Sequence, residues 1–143
     1  MTGFRLSDFL PYRVVALGQA MGQGLAREYA EAFGLAIPEW RTLALIGQYE
    51  AVTAARVVAE TPMDKATVSR AVASLAGRGL VIRVPDEADR RATRLRLSPE
   101  GQDVFGAVAA RALAYESDML SAITAAERAE FDRLLTKLSA AAG

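Results

Sequence analysis

Hydrogen-bond donors and arginines are concentrated in one stretch, residues 64–97, which reads DKATVSRAVASLAGRGLVIRVPDEADRRATRLRL. Its first half predicts an amphipathic helix, because apolar residues recur at helical spacing between a capping residue, Asp64, and a terminating glycine, Gly79. The stripe that would face a core consists of Val68, Ala71, Val72 and Leu75. The opposite face is polar or small. Serine, threonine and arginine side chains on such a face can donate hydrogen bonds to base edges and phosphates in a major groove.

Six side chains in and before this helix are therefore candidate DNA contacts. They are Arg56, Lys65, Thr67, Ser69, Arg70 and Ser74. The N-terminus of the helix adds backbone N–H groups that suit a phosphate. For Arg56, which precedes the helix, an ordinary surface arginine is an equally good interpretation.

The second half of the stretch predicts a β-hairpin. Val81–Val84 and Thr93–Leu97 are rich in β-branched and apolar residues, and Pro85-Asp86 opens a turn between them. In the second strand, arginines at 94 and 96 alternate with leucines, so one face of the hairpin is expected to be basic and the other apolar.

The tip of the hairpin carries Asp89, Arg90 and Arg91. An arginine on a protruding loop suits a narrow minor groove, where the negative potential is enhanced, and Asp89 is placed to hold Arg91 in an extended pose. Residues 64–96 contain eight basic against four acidic residues, although the whole chain has 17 of each sign. This asymmetry predicts a basic footprint on an acidic body, as phosphate binding requires. The alternative is a solvated surface hairpin that happens to be rich in arginine.

Five further helices are predicted from helical spacing and capping residues. They span about residues 8–33, 38–50, 54–60, 99–120 and 124–140. Ser7 or Asp8 would cap the first helix and Thr53 the third. The first and last helices carry more apolar residues than one face of a small domain can bury, so we expect them to pack on another chain. The fold class is therefore mainly α with a small β-hairpin: a winged helix-turn-helix with long terminal helices.

Composition argues against several classes of protein. The 143 residues include no cysteine and no histidine, so disulfides and zinc sites of the usual type are excluded, and no cofactor or metal is expected. Histidine is also the commonest general base, and no spaced catalytic pair or glycine-rich phosphate loop replaces it, so an enzyme is not expected. Charges interrupt every apolar run, which predicts no membrane segment and a cytoplasmic protein.

The order of these features resembles the multiple antibiotic resistance regulator (MarR) family of bacterial transcription factors. The segment PDEADRRATRLRLSPEG is the most specific part of the resemblance, and IPEWRTLALI is similar to the second helix of that family. The resemblance implies one domain over residues 1–143, with a winged helix-turn-helix lobe at about 35–97 and helices for homodimerisation at about 5–34 and 98–143. One departure is the turn before the recognition helix, which reads Thr61-Pro62-Met63 where the family often has a glycine.

The family resemblance further implies a dimeric regulator of double-stranded operator DNA, here a repressor relieved by a small, often aromatic effector. The effector would lie where the dimer helices meet the DNA-binding lobe. Its candidate contacts are Tyr12, Arg13, Met21, Trp40 and Arg41. Trp40 fits a plain core position as well, and the two arginines fit structural ion pairs.

A different class of function is a winged helix that binds proteins and no DNA. Such a surface would favour exposed aromatic or aliphatic anchors, whereas this hairpin exposes arginines and no aromatic residue.

Overall fold

The computed structural model describes residues 3–89 and 92–143 and divides into two compact units, one up to Ala109 and the other from Ala110 onward. A 3₁₀ turn, Leu6–Asp8, precedes the first long helix. The remaining elements are α1 (Leu10–Phe33), α2 (Ile37–Gly47), β1 (Val52–Thr53), α3 (Ala54–Ala59), α4 (Lys65–Gly77), β2 (Val81–Pro85), β3 (Thr93–Leu97), α5 (Pro99–Leu120) and α6 (Ala125–Ala142). The predicted fold class, a mainly helical winged helix-turn-helix, is confirmed.

The wing is part of a three-stranded antiparallel sheet with the order β1-β3-β2. The hairpin of β2 and β3 was predicted, and its register pairs Val81 with Leu97. The third strand was not predicted. β1 has only two residues, of which Val52 pairs with Leu95, and so short a strand shows no alternation of apolar and polar residues.

The core of the first unit lies between this sheet and α2, α3 and α4. All four residues of the stripe predicted for α4 are buried, which confirms the helix and its orientation. The best buried side chains around them include Leu43, Ile46, Val52 and Val57. The aromatic ring of Tyr29 in α1 is fully buried, and its hydroxyl donates a hydrogen bond of 3.2 Å to the carbonyl of Val108 in α5.

Two predicted helix boundaries were wrong. The N-cap of α1 is Phe9, and neither Ser7 nor Asp8 caps it, because both belong to the preceding 3₁₀ turn, in which the amide of Asp8 donates to the carbonyl of Arg5. Helix α2 ends at Gly47 rather than residue 50, because the amides of Gln48 and Tyr49 bond three residues back and tighten the last turn.

In the second unit, Thr124 and Glu127 form the predicted capping box of α6. The amide of Thr124 donates to the carboxylate of Glu127 at 2.9 Å, and the amide of Glu127 donates to the hydroxyl of Thr124 at 3.1 Å. Among the described residues, no helix is both long and apolar enough to cross a membrane.

Candidate nucleic-acid interface

Both ends of α4 are fixed by local hydrogen bonds. At its start, the carboxylate of Asp64 accepts the amide of Thr67 at 2.7 Å, and this bond holds the pKa of Asp64 below its usual value. At its end, Gly79 has a φ of 74°, and the amides of Gly79 and Leu80 donate back to the carbonyls of Ala76 and Leu75. This is a Schellman motif, which needs a residue that tolerates positive φ. The sequence therefore sets the length of the predicted recognition helix.

The turn between α3 and α4 is built without a glycine. The hydroxyl of Thr61 donates to the carbonyl of Val57 at 2.7 Å and accepts the amide of Met63 at 3.4 Å. The Met63 side chain is buried beneath the turn. Since every described residue with positive φ is a glycine, the Thr61-Pro62-Met63 sequence makes this turn without left-handed backbone.

Most of the predicted contacts on α4 lie on its exposed face. Lys65, Ser69 and Arg70 are exposed and Thr67 is half-buried. Ser74 is exposed too, but its hydroxyl donates a hydrogen bond of 2.5 Å to Glu39 of α2, so it already has a partner within the chain.

The side chain of Arg56 on α3 also has partners within the chain. Its guanidinium lies 4.6 Å from the centroid of the Tyr49 ring, and its Nε donates to Glu60 at 3.2 Å. The carboxylate of Glu60 accepts the Tyr49 hydroxyl as well, a hydrogen bond that raises the pKa of Tyr49. The side chain of Arg56 is nevertheless 57% exposed. A phosphate contact from Arg56 stays a prediction.

Several cations around α4 and the hairpin form no salt bridge in the part of the chain that the structure describes, although the charge of Arg70 helps to lower the pKa of Asp64. Within residues 3–89 and 92–143, no ion pair is formed by Lys65, Arg70, Arg83 or Arg96. Arg94 differs, because its Nε lies 3.3 Å from the carboxylate of Asp86. Arg83 and Arg96 were not among the predicted contacts. For Arg96 a signal was available, namely the alternation of arginine with leucine in β3, from which a basic face of the hairpin was predicted.

The tip of the hairpin is organised by Asp86. Its carboxylate accepts the amide of Ala88 at 3.0 Å, and this bond, together with Arg94, lowers the pKa of Asp86. The carbonyl of Asp89 accepts the amide of Ala92. Arg90 and Arg91 lie outside the described residues, so the pairing of Asp89 with Arg91 stays a prediction.

Two of the five predicted effector contacts, Trp40 and Arg41, are neighbours on α2, and the other three lie on α1. Trp40 packs on Tyr29 with ring centroids 4.9 Å apart, and the guanidinium of Arg41 lies 5.7 Å from the Trp40 ring. Met21 is half-buried, whereas Tyr12 and Arg13 are exposed and lie about 13 Å away from it along α1 at the rise of an α-helix. A cavity of about 470 Å³ lies elsewhere, between α3, α4 and the hairpin, and none of the five residues lines it.

Trp40 has a buried indole N–H with no hydrogen-bond partner among the described residues. Buried donors are normally satisfied, so this group is a candidate donor to a bound molecule. The effector site itself stays a prediction.

Comparison with known proteins agrees with this architecture. The sequence profile of the MarR family matches residues 33–92. The uncharacterised helix-turn-helix regulator YsmB of Bacillus subtilis is 42% identical over 59 residues, a match that spans 41% of this chain and only 40% of YsmB. The transcriptional regulator HosA of Escherichia coli is 27% identical over 85% of this chain and 90% of its own length.

A solved structure extends the comparison to nearly the whole chain. The MarR family regulator SPO1453 of Silicibacter pomeroyi is 28% identical, covers 98% of this chain and 99% of its own, and superposes with a TM-score of 0.84. The match includes the terminal helices as well as the winged helix. Residues 33–92 therefore match the MarR family of transcriptional regulators, and the chain as a whole has the fold of a MarR family winged-helix regulator.

Proposed function

We propose that this protein is a dimeric, sequence-specific DNA-binding repressor that reads its operator with α4 and the hairpin. The observation that carries the proposal is the set of four cations, Lys65, Arg70, Arg83 and Arg96, that form no ion pair among the described residues. Among the described residues of the lobe, Arg56, Arg78 and Arg94 are by contrast bonded within the chain. Cations that form no salt bridge are suited to neutralise phosphates and release counterions.

Helix α4 is suited to the major groove. Its exposed face presents Ser69 and Arg70 beside small residues, so the backbone can approach a groove floor closely. In a two-fold dimer, two such helices would enter major grooves about 34 to 36 Å apart, while the hairpin tips with Arg91 reach the flanking minor grooves.

Dimerisation is supported by apolar side chains that each unit leaves exposed. In the first unit they include Phe9, Leu10, Val14 and Leu17, and in the second Phe131, Leu134, Leu135 and Leu138. Large apolar side chains that recur on the exposed face of a helix are typical of an interaction surface. Light scattering is expected to give twice the chain mass of 15.3 kDa, and a monomer would contradict the proposal.

Regulation by a small aromatic acid is the second part of the proposal. Regulators of this family bind DNA and small molecules. In this chain the unpartnered N–H of Trp40 and the adjacent Arg41 would bind such a ligand's polar groups. Because Trp40 is the only tryptophan, its fluorescence reports binding directly, and a panel of aromatic acids that neither quenches it nor raises the melting temperature would count against this site.

The test of DNA binding is a fluorescence-anisotropy titration against duplex from the protein's own upstream region, with a scrambled duplex as control, at several salt concentrations. We expect selective binding whose logarithm falls linearly with the logarithm of the salt concentration. Arg70→Ala and Arg91→Ala should each cost about 1–3 kcal/mol of specific affinity. If both variants bind the duplex as tightly as the wild type, the proposed placement of α4 in the major groove and of the hairpin tip in the minor groove is wrong.

The hairpin offers a matched pair of variants. Arg94 and Arg96 lie in the same strand and are both exposed, but only Arg94 is paired with a carboxylate. Arg96→Ala should therefore reduce the salt slope by about 0.9 per protomer, and Arg94→Ala by less. Equal slopes would show that the ion pair does not govern which arginine contacts phosphate.

If the wild-type protein binds neither the upstream duplex nor the scrambled duplex at low salt, the proposal is overturned and a protein partner is favoured.

A further inference from the structure

The C-terminal half of α4 is bonded to the corner between α1 and α2. Helix α1 ends at Phe33 and is capped by Gly34, which has a φ of 63°. The last carbonyls of an α-helix point out of its end because no further helical amide follows to bond them. The guanidinium of Arg78 donates to two of them, to Phe33 at 2.7 Å and to Gly34 at 3.2 Å. A cation at this position also complements the negative end of the helix dipole.

A second bond joins the same two regions one helical turn earlier. Ser74 donates its hydroxyl to Glu39, and the other carboxylate oxygen of Glu39 accepts the amide of Ala36 at the start of α2. Partial burial raises the pKa of Glu39, but these two bonds and the charge of Arg78 more than offset it, so the pKa lies below its usual value. Residues 74 and 78 lie on one face of α4, because they are four residues apart.

We propose that Arg78 is a positioning residue that fixes the angle between α4 and α1, and so sets the distance between the two recognition helices of the dimer. The inference rests on the proposed function, in which α1 carries the dimer contacts and α4 the DNA contacts. Because packed helices move as rigid bodies, a change in the angle of one helix at its contact displaces the far end of that helix. Since a two-fold operator is read at a fixed half-site separation, the Arg78 bonds would contribute to selectivity for the spacing of the half-sites and leave the selectivity for their sequence unchanged.

The experiment measures affinity as a function of half-site spacing. The probes are the palindromic duplex that the wild type binds best in a selection from random sequence, and derivatives with one base pair removed, one added or two added between the half-sites. The wild type should bind one spacing best. In Arg78→Ala the ratio between the best and the altered spacings should fall about three- to tenfold, while the preferred half-site sequence is unchanged.

Arg27→Ala is the matched control, because Arg27 is an exposed arginine of α1 that takes no part in these contacts, and it should keep the wild-type profile. Arg78→Lys, which retains the charge and can still donate to a carbonyl, should restore part of the selectivity. A role confined to stability would lower the melting temperature and reduce binding to all spacings equally, which would overturn the inference.

If Arg78→Ala does not fold, Arg78→Lys and Glu39→Gln decide the question. A flattened spacing profile in either supports the inference, and wild-type profiles in both overturn it. Wild-type protein that binds no selected duplex would instead contradict the proposed function itself.

Discussion

Gly101 of α5 lies against the backbone of Leu80 and the side chain of Leu97. A β-carbon at this position would overlap the carbonyl oxygen of Leu80 and lie 3.0 Å from its carbonyl carbon and 3.3 Å from Cβ of Leu97. The obstacle is backbone, which cannot rotate away as a side chain would. The same carbonyl also accepts the amide of Ser98 at 3.0 Å, so moving α5 outward to admit a methyl group stretches that hydrogen bond.

Gly101→Ala should therefore destabilise the fold. Overpacking typically costs about 1–3 kcal/mol, and weakening the hydrogen bond adds about 1 kcal/mol. Alanine recovers about 1 kcal/mol of helix propensity, which leaves a net loss of about 2 kcal/mol. At about 2.1 cal/mol/K of unfolding entropy per residue, a chain of 143 residues loses about 3 °C for each kcal/mol, so we expect the melting temperature to fall by about 7 °C.

The assay is thermal unfolding followed by circular dichroism, with all variants at one protein concentration, because the protein is proposed to dimerise and the unfolding of a dimer depends on concentration. Gly106→Ala is the control, since Gly106 is an exposed residue of the same helix with no atom within 4 Å of an added β-carbon. It should gain about 0.5–1 kcal/mol. If Gly101→Ala melts at or above the wild-type temperature, the close approach of α5 to Leu80 is not a constraint on this position.

Two further predictions concern hydrogen bonds. Because the pKa of Asp64 is lower in the folded protein than its ordinary value of 3.8, its contribution to stability is present above that value and is lost as the pH falls through the folded-state pKa. Asp64→Asn, which caps a helix at any pH, should flatten the fall in melting temperature below pH 4, and an unchanged acid profile would contradict the role of the carboxylate. Tyr29→Phe removes a buried hydroxyl from Val108 and should cost about 1 kcal/mol in urea unfolding. Tyr12→Phe, at an exposed tyrosine, should not change the free energy of unfolding measurably. If both variants lose the same free energy of unfolding, the hydrogen bond to Val108 is not the cause of the loss.

Local signals predicted the winged-helix lobe well. Asp64, Gly79 and the apolar stripe between them lie within one short segment, and each acts through contacts a few residues away, so their types and spacing were enough to define α4. The hairpin followed for the same reason, since its two strands are neighbours in the chain. The elements that were not predicted are very short. Strand β1 has two residues, and the 3₁₀ turn before α1 includes Ser7 and Asp8, which were predicted to cap the helix.

Partners far apart in the chain could not be predicted in this way. The count of eight basic residues treats Arg78, Arg94 and Arg96 alike, yet the fold gives each a different environment. Arg78 donates hydrogen bonds to carbonyls 44 and 45 residues away, and Arg94 is paired with Asp86. Arg96 forms no ion pair with any residue that the structure describes. Local charge therefore locates the basic surface, but which of its cations form ion pairs or hydrogen bonds within the chain depends on tertiary contacts that local composition does not predict.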